Sequence, residues 1–233
     1  MGAAAGLIAL AAALFAAGFA ILRANRRERE TRRDILKSCG ELLESSAAQV
    51  APSGYGVLRG VYHGRRAALT PIAEALAFRK LPQLWIAAAL ADIDPDRPSI
   101  EIVRRPAGSE FFMGAAGSAP SVRPPASWPQ DTSVRVSRSA APLLRSIGPL
   151  LAGPLSDPKL KSVSIGPRGV RVVRQAAQGA RGAYVLFRDM RFDADTICAA
   201  DARSALDLAT ALADRIAAHD IEIHDAAKTR DAA

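Results

Sequence analysis

The chain has 233 residues, 49% hydrophobic and 23% charged, too apolar and too mixed in sign for a disordered polymer. Its two cysteines, Cys39 and Cys198, are isolated, which excludes a C-x-x-C zinc or redox motif, fits a reducing compartment and leaves a disulfide between them open. The net charge is +8, but Arg23–Lys37 alone holds seven basic and three acidic side chains; a nucleic-acid binder would gather its cations on the folded domain, so nucleic acid is not the expected partner.

The first element is a charge-free run, Ala3 to Leu22. A helix of that length rises about 30 Å, the thickness of a bilayer's hydrocarbon core. Six arginines follow at once: Arg23, Arg26, Arg27, Arg29, Arg32 and Arg33. A signal peptide carries its positive charge before the apolar region, and here only the amino terminus precedes it. The order favours an uncleaved transmembrane helix over residues 1–22. The positive-inside rule then puts the N-terminus outside and the rest in the cytoplasm, at the inner membrane. Gly18-Phe19-Ala20 keeps a second reading open, an exported domain released by cleavage.

Residues 23–50 read as a basic juxtamembrane amphipathic helix. Ile35, Leu36, Cys39, Leu42 and Leu43 recur at helical spacing, and Pro52-Ser53-Gly54 stops the element near Val50. Residues 51–220 read as a strand-rich α+β domain. Two strands flank His63-Gly64-Arg65, a hairpin turn. "LPQLWIAAAL" and "SIEIVRR" supply two more around a turn at Asp94–Pro98. Residues 105–131 carry five prolines and no periodicity, and read as a long loop. A strand at Val134–Ser137 and a helix from Ser139 follow. "LKSVSIGPRGVRVVRQ" is a hairpin on Gly166-Pro167-Arg168-Gly169. "AYVLFRDMRF" is a further strand. Asp201 stands as the cap of a closing helix with Leu206, Ala209, Leu212 and Ile216 on one face. Residues 221–233 read as a polar, frayed tail.

A shift of 102 residues lays Leu58, Val61, Gly64 and Arg66 on Leu160, Val163, Gly166 and Arg168, and Trp85 on Phe187. This suggests two pseudo-repeated halves, about 51–104 and 132–220, with a groove between them. Shared hairpin chemistry explains the same match.

Two strings stand out as candidate partner contacts. Phe111, Phe112 and Met113 sit in the Gly/Pro-rich loop and would make a docking patch, or a lid folded on the core. Arg79 and Lys80, beside Phe78 and Trp85, would grip an acidic peptide or a lipid phosphate, or form a solvated turn over a core. His63, His219 and His224 lack metal-ligand spacing, so no metal is expected. Asp189 alternates with Arg188 and Arg191 and reads as an ion pair or an edge device. No phosphate loop, nucleotide fingerprint, nucleophile elbow or zincin motif occurs, and no cofactor is expected.

Gly60–Arg66 (G-x-Y-x-G-R-R) with Phe78–Trp85 (F-R-K-L-P-x-L-W) resembles small bacterial single-pass membrane proteins that carry no assigned function. The resemblance implies an anchor with a cytoplasmic α+β domain and offers no catalytic residues. The expectation is a membrane-anchored, non-enzymatic domain that binds another protein. The alternative is a domain that binds, or acts on, a lipid or small anion at the membrane.

Overall fold

The computed structural model describes residues 2–74, 81–106, 119–179, 192 and 194–231; for 2–5, 7–9, 226–227 and 229–231 it describes the backbone alone. Among the described residues there are three α-helices: α1 (Gly2–Asp34), α2 (Ala141–Ser156) and α3 (Ala199–Asp231). The strands are β1 (Glu44–Val50), β2 (Gly56–Tyr62), β3 (Arg65–Glu74), β4 (Gln83–Ala91), β5 (Ile100–Arg104), β6 (Ser121–Val122), β7 (Thr132–Val136), β8 (Leu160–Gly166) and β9 (Gly169–Gln178). They form one antiparallel sheet in the order β1-β2-β3-β4-β9-β8-β5-β7-β6. The class is α+β, as expected. The strands assigned to two halves are members of this one sheet.

Strand alternation decides what each face carries. Leu58, Leu69, Ala88, Val172, Val163, Ile102 and Val134 are successive cross-strand partners, and all are buried. They share the main core with Leu143, Ile147, Leu151 and Leu155 of α2 and Leu206, Ala209, Leu212 and Ile216 of α3. Each buried Val, Leu or Ile among them contributes about 1.5–3 kcal/mol by leaving water, and each Ala less. The periodic face expected of the closing helix is thus the face that covers the sheet.

The hairpins follow from their turn residues. His63 (φ 48°) and Gly64 (φ 76°) are both left-handed, as a two-residue hairpin loop requires. Gly169 (φ 119°) closes the second hairpin, and a Cβ there would stand 2.1 Å from the Leu90 carbonyl oxygen. Only glycine fits so close to β4.

Several expectations are corrected. The juxtamembrane helix does not reach Val50. α1 stops at Asp34, a 3-10 turn spans Lys37–Leu42, and β1 follows. Ile35, Leu36, Cys39 and Leu43 are buried all the same, because a tight turn brings them to the core as a helix would. β1 is exposed throughout and is held by pairing with β2, so long-range hydrogen bonding overrides local propensity. The tail continues α3 to Asp231. Asp201 lies inside the first turn of α3, where a carboxylate complements the helix dipole, and pairs with Lys159 at 2.9 Å. Part of the Pro-rich loop is built into the core: Trp128 is buried and its Nε1 donates to the Gly148 carbonyl at 3.2 Å. Most of the strand expected at 183–192 lies outside the described residues; Phe192 bridges Gly179.

Among the described residues, helix α1 meets the domain near its C-terminal end. The Arg32 guanidinium lies 5.6 Å from the Tyr55 ring centroid. At Gly56 a Cβ would meet the Arg33 carbonyl oxygen at 2.1 Å. Upstream, Leu10, Leu14, Phe15, Phe19, Ile21 and Leu22 are exposed, Phe15 to 79%. Among the described residues no helix is long and apolar enough to cross a membrane. The side chains of Ala3–Ala5 and Leu7–Ala9, within the charge-free run, are not among those described.

Candidate functional site

The second face of the sheet carries no helix among the described residues. Its central cross-strand row runs Arg59, Ala68, Ala89, Arg171, Ser164, Glu101 and Arg135 from β2 to β7. The neighbouring row places Thr70, Ala87 and Val173 side by side. Half-buried strand faces ordinarily carry β-branched or aromatic side chains. Here Ala68, Ala87, Ala89 and Ala91 leave that space open. The result is a groove of about 640 Å³, within the usual range for small-ligand sites.

Arginines rim it. Strand alternation sends the adjacent residues Arg65 and Arg66 to opposite faces: Arg65 pairs with Asp214 of α3 at 2.8 Å, and Arg66 lines the groove. Arg59 and Arg168 line it too. None of Arg59, Arg66 and Arg168 makes a hydrogen bond or ion pair among the described residues, whereas the arginines on the other face are paired. Arg168 stands on a fixed turn, since the Asp94 N–H donates to the Pro167 carbonyl (2.9 Å) and the Asp92 N–H to that of Arg168 (3.3 Å). The carboxylates of Asp92 and Asp94 make their ion pairs with Arg97, at 3.0 and 3.6 Å.

Arg171 lies at the bottom, half-buried. Burial draws its guanidinium below its usual range, and Glu101 opposes that shift. Glu101 is 1% exposed and accepts a hydrogen bond from Ser164 Oγ at 2.9 Å. The described lining thus holds four arginines and one carboxylate, and that carboxylate is already engaged. This set suits holding an anion, since a guanidinium matches carboxylate or phosphate in two-pronged geometry. It is poorly suited to moving a proton, because arginine stays protonated.

None of the site residues singled out in the sequence is among the described lining of the groove. Arg79, Lys80, Phe111, Phe112 and Met113 lie outside the described residues, as do Phe187, Arg188, Asp189 and Arg191. The anchor-flank arginines are on α1, where Arg26 pairs with Glu30 at 3.1 Å and Arg32 with Glu28 at 3.0 Å. His63 is exposed in its turn, edge-on to the Tyr62 ring. His219 lies 4.0 Å from Glu222, and no group of metal-ligating side chains occurs among the described residues. The groove arginines were not anticipated as a site. Two signals point to them: alanine at every second position of β4 (Ala87, Ala89, Ala91), and the 102-residue shift that pairs Arg66 with Arg168.

Searches against family models, curated proteins and solved structures find no match for this chain.

Proposed function

We propose that the chain is a membrane-tethered, non-enzymatic binding domain that recognises its ligand on the helix-free face of the sheet. The observation that carries the tether is the exposed apolar stretch of α1. Its large side chains span roughly half the circumference, and alanine fills the rest, so the helix has no polar face. A helix hydrophobic all round belongs in lipid or in a protein interior. The described part alone is too short to span. The reading adds the uncharged positions before it, which bring the run to bilayer length. Arg23 to Arg33 then lie at the cytoplasmic surface, where anionic lipid attracts each by about 1 kcal/mol. From Arg23 to Asp34 the helix rises about 17 Å, which stands the domain off the membrane.

The arginine-rimmed groove supports the binding role over catalysis, because its described lining holds no histidine, cysteine or lysine and its one carboxylate, Glu101, is buried. It also favours an anionic ligand over the protein partner expected from Phe111–Met113.

Membrane fractionation tests the tether. The full chain should stay with membranes through alkaline carbonate, and deletion of residues 2–22 should release a folded domain. A C-terminal tag should resist protease in intact spheroplasts. Carbonate-soluble full-length protein would overturn the anchor, and a digested tag would overturn the orientation.

A further inference from the structure

We infer that the groove binds a small amphipathic anion from solution: a phosphate or carboxylate carried on a flat apolar body. The inference deepens the proposed binding role and rests on the open face being the binding face; it does not depend on the anchor.

Charge supplies the first argument. Arg59 and Arg66 are diagonal neighbours on adjacent strands, since Arg59 opposes Ala68 and Arg66 lies two residues before it. Side chains at that spacing interact, and like charges repel. Arg168 brings a third cation to the same concavity, and Arg171 lies there too, opposed by Glu101. Arg59, Arg66 and Arg168 gain no ion pair or hydrogen bond among the described residues by standing together. An oxyanion bridging them removes the repulsion.

The floor supplies the second argument. Ala68 and Ala89, both half-buried, present methyl groups only. A flat apolar body laid there displaces water from apolar surface. A bare inorganic anion would use the arginines and leave the floor wet.

Backbone pairing supplies the third. The groove lies over β2, β3, β4, β9, β8 and β5, and each is hydrogen-bonded to a neighbour on both sides. A peptide laid across it finds no free main-chain groups, and strand addition needs a sheet edge. Recognition must run through side chains, which suits a small ligand.

Position separates two sources of the same headgroup chemistry. α1 reaches the domain at Tyr55–Gly56, where β2 begins. Arg66, Ala91, Arg168 and Gly169 are at the opposite end of the strands, beside the two hairpin turns. β2 is seven residues long, about 20 Å of strand. The groove therefore lies away from where the tether leaves, and its ligand comes from solution, not from the tethering bilayer.

The test uses the full chain in nanodiscs of zwitterionic lipid, titrated with phenyl phosphate and with inorganic phosphate by calorimetry. Phenyl phosphate should saturate, and should bind at least about tenfold more tightly than inorganic phosphate, a factor worth 1.4 kcal/mol. The double variant Arg66→Gln/Arg168→Gln should lose at least about tenfold in affinity with an unchanged melting temperature. Ala89→Leu, which fills the floor, should remove the preference for the phenyl group; if it fails to fold, the arginine variant still decides. No saturation below about 10 mM, or equal binding by wild type and the arginine variant, would overturn the site. A glutamate hexapeptide that binds more tightly than phenyl phosphate would overturn the ligand class. Competition from phosphatidic acid built into the nanodisc would overturn the solution source. Failure of the anchor would appear in the fractionation experiment and leave these titrations unaffected, since they can be repeated in detergent.

Discussion

The two faces of the sheet are made from the same strands and obey different rules. On the covered face, Leu69, Ile102 and Val172 meet α2 and α3 and leave no room. On the open face, the residues flanking them are Ala68 and Thr70, Glu101 and Val103, and Arg171 and Val173, and of its apolar side chains Trp85, Ala87 and Val173 form a small buried cluster of their own. Adjacent residues make the contrast plainest. Arg65 is tied to Asp214 while Arg66 is left without a described partner. Arg174 reaches Asp157 at 2.7 Å on the covered side, while Arg168 stands exposed in its turn. The arginines over the core are paired, and among the described residues Arg59, Arg66 and Arg168 at the groove are not.

The largest effect should come from breaking the covered face. Ile102→Ala removes a fully buried side chain and should lower stability by about 2–5 kcal/mol in chemical denaturation. Thr70→Ala, on the other face of β3, should stay within about 0.5 kcal/mol. Similar losses at both positions would mean that the open face is core as well.

Gly169→Ala comes next. The left-handed backbone and the Leu90 carbonyl together should cost about 1–3 kcal/mol or more and should displace Arg168. Loss of phenyl phosphate binding should exceed that of a strand variant matched for stability.

Tyr62 belongs to the covered side. It donates to Asp207 of α3, and its hydroxyl is pushed up to about 12 by burial, with Asp207 adding to the shift. The folded value is raised above the ordinary one near 10, so this contribution is complete below pH 10. It is lost as the pH rises towards 12, because the unfolded chain releases its proton first. Tyr62→Phe should cost about 1 kcal/mol at pH 7 and should flatten that alkaline loss. An unchanged alkaline slope would remove Tyr62 from the account. The smallest effect has the opposite sign: Ala89→Val should raise stability by up to about 1 kcal/mol by improving strand propensity, and weaken ligand binding.

How much of this was legible depends on the range of the interactions involved. His63-Gly64 and Gly166–Gly169 announce hairpins because turn chemistry is local. Leu206, Ala209, Leu212 and Ile216 announce a packed helix because the period is local too. Glu44–Val50 announces nothing: no residue of β1 is buried, so no alternation marks it, and pairing with β2 alone makes it a strand. The groove fails to show for a related reason. Arg66, Ala89, Arg171 and Glu101 share a face only because β4 pairs with β9 and β8 with β5, and those register choices are long-range. The sequence does hold the alternation. It does not say which of the two resulting faces the helices will cover.

Arginine-selective labelling with phenylglyoxal, read residue by residue by mass spectrometry with and without phenyl phosphate, tests the two-face account most directly. Arg59, Arg66 and Arg168 should react in the free protein and be shielded by the ligand. Arg97, Arg104 and Arg174, each nearly buried and ion-paired, should stay unreactive in both states. Equal labelling of the three rim arginines with and without phenyl phosphate would contradict the claim that the open face is the binding face.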